Sequence, residues 1–356
     1  MEKRSQVQAA AAFIDPLLEK LRRHPKRIVF TEGEDIRVLR VAARLVQEEA
    51  VVPILLGARQ KITSLAESEG ICLDFIKILN PEEASDFELF CERYAKIERY
   101  RTGRDVDAAS FVKLPHYFGA LMVQYGQADA LVGGNQVMPA VLFRALNHAI
   151  KPLSEVGKMF GVTVLSAPHL DHFGGSGMLL FADSGLNPEP SVDELCAIAI
   201  ETGKLARHFL GREVKVAFLS HSTKGSAPSE SSRKVAAATA LARERVSADS
   251  LELRVTGEVQ ADVALDAAAA EVKMPDAEFS ASADVLVFPN LDSAHISMKL
   301  LQHCAGARNY GHLLMGLARP AAQVPRTASE DTIFGTAAAV AVEAIKFHEM
   351  FPEADF

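Results

Sequence analysis

Five times in this chain a short apolar run gives way to a turn of small or polar residues. The first run, Arg27-Ile-Val-Phe30, leads into Thr31-Glu-Gly-Glu-Asp35. Ile36, Val38, Leu39, Val41, Ala42 and Leu45 then recur at helical spacing, and Val51–Leu56 resumes the apolar pattern. Two buried strands joined by an amphipathic helix require a crossover, and a crossover predicts parallel strands. The pattern returns at Ala128–Val132 before Gly133-Gly134-Asn135, and at Val162–Leu165 and Met178–Phe181 around a glycine- and histidine-rich loop. It returns again at Val214–Leu219 before Ser220–Ser226, and at Asp284–Phe288 before Pro289-Asn290. Helices are expected over 82–106, 192–210, 229–245, 292–303 and 332–350. In open α/β sheets ligands bind beyond the carboxyl ends of the strands. The five loops are therefore expected to line a cleft.

Composition narrows the class. A length of 356 residues predicts about two domains. The hydrophobic share of 49% and charged share of 24% exclude a disordered or collagen-like chain. No apolar run reaches the ~18 residues of a membrane span, and the polar start Met1–Gln6 predicts no secretory signal. Four scattered cysteines without a Cys-x-x-Cys pair point to reduced thiols and a cytoplasmic protein. A net charge of -8 argues against nucleic acid as partner. An anionic ligand would have to be held by local cations and backbone N–H groups.

Several clusters could do so. Ser220-His-Ser-Thr-Lys-Gly-Ser226 offers four hydroxyls, an ammonium and a glycine directly after a strand. Such a loop can present donors to a phosphate, though the same residues also suit an ordinary turn with capping serines. Gly133-Gly134-Asn135-Gln136 allows close backbone approach, with Arg144 ten residues after Gly134. Asp183 with Asn187 places a carboxylate and an amide at a strand end, which also reads as an Asx turn. Arg319 and Arg326 flank a proline-containing loop, and Ser329, or Thr327 with Glu330, could cap the last helix. His169-Leu-Asp-His172 lacks a third metal ligand nearby. Gly175-Ser-Gly177 is too short for a dinucleotide fingerprint, and no Gly-x-Ser-x-Gly elbow supports a hydrolase.

In order, Phe30–Asp35, Ala128–Gly134, Leu180-Phe-Ala-Asp183 with Asn187-Pro188, Leu219–Ser226, Gly257–Leu265 and Val285–Pro289 resemble the phosphate acetyl/butyryltransferase (phosphotransacetylase) family from about residue 27 to 346. The resemblance implies two αβα domains with mainly parallel sheets, like isocitrate and isopropylmalate dehydrogenases, and a cleft between them. It implies a discontinuous domain of residues 1–152 plus 312–356, and an inserted one of 153–311. It further implies a cytoplasmic homodimer without a tightly bound cofactor, coenzyme A or acyl-CoA being substrate. The reaction would be reversible acyl transfer between CoA and phosphate, through acyl phosphate.

By position Arg99, Arg144, Gly134, Asn135, Ser222, Thr223, Lys224, Gly225 and Ser226 would bind CoA or acyl phosphate, with Arg326 and Asp331 catalytic. The family loop Asp-Leu-Ser-Arg-Gly reads Gln323-Val-Pro-Arg-Thr327 here, so Pro325 stands at the serine. Thr332 stands at the family's aspartate, with Asp331 one residue earlier, about 100° around a helix. The alternative is a catalytically weak homologue that binds acyl-CoA as a regulatory or ligand-sensing module.

Overall fold

The computed structural model describes residues 2–153, 156–167, 169, 174, 177–275 and 282–350, with side chains from 13 to 346. They group into two units. Met1–Asp15 and Ser154–Gly316 form an inserted unit; Pro16–Leu153 and Leu317–Phe356 form an outer one. The first fifteen residues thus group with the inserted unit, and the return to the outer unit falls at Leu317.

The chain opens with α1 (Glu2–Arg23), β1 (Lys26–Phe30), α2 (Ile36–Gln47), β2 (Val51–Leu56), α3 (Arg59–Glu69) and β3 (Lys77–Leu79). The helices α4 (Phe87–Thr102), α5 (Ala108–Val112) and α6 (Pro115–Gln124) precede β4 (Ala130–Gly133) and α7 (Pro139–Ala149). Then come β5 (Phe160–Ser166), β6 (Met178–Ala182), α8 (Val192–Leu210), β7 (Val214–Leu219), α9 (Glu230–Ala248) and β8 (Leu253–Val259). The rest is α10 (Ala261–Leu265), α11 (Ala267–Lys273), β9 (Val285–Val287), α12 (Leu291–Cys304), β10 (Arg308–Met315), β11 (Ala321–Gln323) and α13 (Glu330–Met350).

In the outer unit the strands run β3-β2-β1-β4-β11, all parallel. The order reverses between β1 and β4, the kind of switch point where a crevice opens at the strand ends. Buried runs make these strands: Ile28, Val29 and Phe30 in β1, and Ala130, Leu131 and Val132 in β4, are almost inaccessible. Val38, Leu39, Val41, Ala42 and Leu45 are the buried face of α2, the face that periodicity assigned to it. In α13 the residues from Ile333 to Phe334 and Ala337 to Val342 are also buried. A helix covered on every side belongs inside its unit.

In the inserted unit the order is β10-β5-β6-β9-β7-β8. Its strands β6, β9, β7 and β8 pair in parallel, while β5 runs antiparallel to both β10 and β6. Phe181 and Phe288, with centroids 4.7 Å apart, lie in its core. A capping box starts α8: Ser191 Oγ accepts from Glu194 N at 3.2 Å and Ser191 N donates to Glu194 Oε2 at 2.8 Å.

Candidate active site

Three loops gather at the strand ends of the outer unit, after β1, β4 and β11. Glycine allows the approach: a Cβ on Gly133 would lie 2.2 Å from Thr31 Oγ1, and Gly134 has a φ of 95°. Gly134 N donates to both oxygens of Glu32, at 3.0 and 3.1 Å, and Thr31 Oγ1 donates to Oε2 at 2.7 Å. Burial pushes the Glu32 carboxyl up, against these hydrogen bonds.

Asp35 is the second carboxylate. It caps α2 by accepting from Arg37 N at 2.9 Å, and it accepts Asn135 Nδ2 at 2.8 Å and Gln136 Nε2 at 3.3 Å. Burial would raise it, but the hydrogen bonds from Arg37 and Asn135 prevail and hold it below the usual range. The Arg37 guanidinium pairs with Asp35 at 2.6 Å and also reaches the Arg326, Ala328 and Asn135 carbonyls.

The structure therefore brings Gly134, Asn135 and the backbone of Arg326 into one cluster. The Gly134 N–H and the Asn135 amide, expected to bind a ligand, are already engaged by Glu32 and Asp35. The Arg326 side chain is exposed. Asp331 pairs with Arg44 at 3.1 Å, both half-exposed. Arg44 is seven residues beyond Arg37, or about 10 Å along the helix. Between them Arg40 pairs with Glu330 at 3.0 Å and Glu69 at 2.6 Å. The expected cap of α13 is Ser329, whose Oγ accepts from Thr332 N at 3.2 Å.

Arg99 forms an exposed pair with Asp105 at 2.6 Å. Arg144 is exposed on α7, and its charge acts on Tyr117 and His148. Beside them is a network that sequence reasoning did not single out. Buried Glu98 accepts from Arg101 at 2.7 Å and lies 3.2 Å from His148 Nδ1, with Tyr94 Oη 3.3 Å from the same nitrogen. The Glu98–Arg101 spacing of three on an amphipathic helix was the available signal.

In the inserted unit the 220–226 loop wraps another glutamate. Glu258 Oε1 accepts from Ser222 Oγ at 3.0 Å and Gly225 N at 2.6 Å. Thr223 Oγ1 accepts from Gln260 N at 3.1 Å, and Thr223 N donates to Ser226 Oγ at 3.0 Å. Ser222 and Thr223 are buried, so their hydroxyls shape the loop, and Lys224, Gly225 and Ser226 form its exposed tip. Asp183 is an Asx turn: Oδ1 accepts from Gly161 N and Gly185 N at 2.9 Å, and Oδ2 from Asn187 Nδ2 at 2.6 Å.

Of the histidine pair, His169 Nε2 lies 2.8 Å from the Ala305 carbonyl, while Asp171 and His172 fall outside the described residues. No group of three or more His, Cys, Asp or Glu that could hold a metal occurs among the described residues. A groove of about 740 Å³ bounded by Pro25, Val46, Val52, Phe75 and Lys77 lies at the starts of β1, β2 and β3. That is the end of the sheet opposite the loops, away from where such folds do chemistry.

The family model described as phosphate acetyl/butaryl transferase matches residues 12–341. The chain belongs to that family. It is 33% identical over 337 residues to the phosphate acetyltransferase of Acetivibrio thermocellus, covering 94% of this chain and 98% of that one. The EutD phosphotransacetylase of Staphylococcus aureus superposes with a TM-score of 0.85 at 32% identity, covering 94% of this chain and 99% of that one. A phosphotransacetylase of Streptococcus pyogenes gives 0.84 at 31%, with 94% and 98% covered. Membership makes the chain an acyltransferase of the α/β architecture expected from its sequence.

Proposed function

We propose that this chain moves an acetyl or butyryl-type acyl group between coenzyme A and phosphate. The family match from residue 12 to 341 carries the reading, since it spans both units and every loop of the candidate site. In the thioester-forming direction the CoA sulfur attacks the acyl phosphate carbonyl. The carbon–sulfur bond forms, the carbon–oxygen bond to phosphorus breaks, and phosphate leaves with that electron pair. Arg326 is the cation for the phosphoryl oxygens and the developing oxyanion, and stabilisation of that kind usually contributes most to catalysis. Arg99, Arg144, Lys224, Gly225 and Ser226 hold CoA or phosphate oxygens. Gly134, Asn135, Ser222 and Thr223 support them by shaping the loops.

The thiol has to lose a proton, and near a pKa of ~8.5 only a few per cent is thiolate at neutral pH. Asp331 acts as base in this scheme only after releasing Arg44. Asp331→Asn should then lower kcat by about 10²–10⁴-fold. A loss below tenfold removes Asp331 from the mechanism.

One set of observations favours a second reading, in which the chain binds acyl-CoA as a regulatory module. Pro325 replaces the family's serine, and Asp331 is engaged by Arg44. The deciding assay mixes purified protein with acetyl or butyryl phosphate and CoA and follows thioester absorbance. Turnover supports the enzyme; measurable CoA binding without turnover supports the module. We further propose a cytoplasmic homodimer, tested by sedimentation equilibrium. No helix among the described residues is long and apolar enough to cross a membrane.

A further inference from the structure

We propose that Arg37 is the positioning residue of this site: its guanidinium sets the backbone of the Asn135 and Arg326 loops, and through the latter the placement of the Arg326 cation. The inference rests on the reading of Arg326 given above and adds what holds it in place. A guanidinium has five N–H donors in a planar fork. Here all five are matched. Nε donates to Asp35 Oδ1 at 3.1 Å, and Nη2 to Asp35 Oδ2 at 2.6 Å and the Asn135 carbonyl at 3.2 Å. Nη1 donates to the Arg326 carbonyl at 3.0 Å and the Ala328 carbonyl at 2.8 Å. One side chain thus joins the loops after β1, β4 and β11.

Its own position is fixed. Arg37 is in the first turn of α2, and its Asp35 partner caps that helix while accepting Asn135 and Gln136. At the root of the β11 loop the main chain suffices, Val324 N donating to the Gly133 carbonyl at 2.9 Å. Beyond Val324 the chain leaves the ladder. It closes a tight turn, with Ala328 N donating to the Pro325 carbonyl at 2.9 Å. Proline fixes φ and removes a donor, so where the family has a hydroxyl this chain has a preset turn whose carbonyls at 326 and 328 both meet Arg37. A lysine would supply one compact ammonium in place of the fork and could not serve all these acceptors.

The test compares the parent with Arg37→Lys and Arg37→Ala. The assay is thioester formation from acetyl phosphate and CoA, with and without added guanidinium, and ammonium at equal ionic strength as control. Arg37→Ala should lose about 100-fold in kcat, as expected for an active-site group displaced by about 1 Å. Its KM for CoA should change less than threefold. Guanidinium, but not ammonium, should restore at least tenfold by filling the slot beside Asp35. Arg37→Lys should remain impaired although its charge is kept. Hydrogen exchange should quicken across 134–137 and 326–329 in both variants, more than in the rest of the outer unit.

A kcat within threefold of the parent in both variants overturns the proposal. So does lost activity accompanied by general loosening and no guanidinium rescue, which is what a purely structural residue would give. If the parent itself shows no turnover, the proposed function fails and exchange alone decides Arg37. Faster exchange confined to the two loops supports it, and parent-like exchange overturns it.

Discussion

Glu343 buries its Oε2 without a hydrogen-bond partner among the described residues. Burial raises its carboxyl to about 8, only partly offset by Lys346. Below pH ~4.5 the folded and unfolded chains both carry the proton and Glu343 costs nothing. As pH rises towards 8 the unfolded chain ionises first, so stability falls. Each tenfold difference in proton affinity between the two states is worth about 1.4 kcal/mol. Glu343→Gln should therefore remove that slope and stabilise the protein by roughly 3 kcal/mol at pH 7. Urea titrations at pH 5 and pH 7 check it, and equal gains at both would refute the ionisation account. His312 works the other way. Burial holds it down at about 4, and the hydroxyls of Thr163 and Ser184 lie 3.0 and 3.2 Å from its Nδ1. Above pH ~6.5 neither state is protonated; between 6.5 and 4 the unfolded chain takes the proton first and stability falls. Exposed Arg326 should behave differently from both. Arg326→Ala should cost activity by about 10²-fold or more and stability by no more than about 0.5 kcal/mol. A large drop in melting temperature with parent-like kcat/KM would show that its role is structural.

The elements that could be read from sequence are those with a pattern of their own. The strands β1, β2, β4 and β7 are apolar runs that are mostly buried, and α2 carries a clean apolar stripe. Others become elements through neighbours. Three-residue β3 and β11 exist because Ile54–Leu56 and Leu131–Gly133 offer them a ladder. The helix α6 is buried from His116 to Val123, so it has no polar face to give a period. The site divides in the same manner. Gly133-Gly134 and the 220–226 loop stand out because turn chemistry is local. Arg37, Glu32 and Glu258 do not, because their partners lie 289, 102 and 36 residues away. Capping is local as well, and Ser191→Ala in the capping box of α8 should cost about 1 kcal/mol. Chemical denaturation measures it; a change under ~0.3 kcal/mol would mean that the helix end is held by its packing instead.

For the whole molecule, two segments far apart in sequence complete one unit. The parallel sheet of the outer unit gains β11 beside β4, and α13 fills its core, only once residues after Leu317 have been made. The inserted unit draws its strands from one continuous stretch. Contacts between distant segments form slowly because loop closure precedes their gain. Amides of β7 and β8 should therefore gain protection before those of β4 and β11 in pulse-labelled refolding. Simultaneous protection would contradict the ordering.

Each unit also wraps a glycine-containing loop around an internal glutamate, Glu32 in one and Glu258 in the other. Those carboxylates act as resident templates, filling from within the role an incoming anion would otherwise have in shaping the loop. Loop shape and loop chemistry are thereby inherited through different residues. A lineage built this way can exchange a side chain at the tip of either loop without first losing the scaffold that displays it. For a protein engineer, activity can be rewritten at the exposed tips while the templates stay untouched.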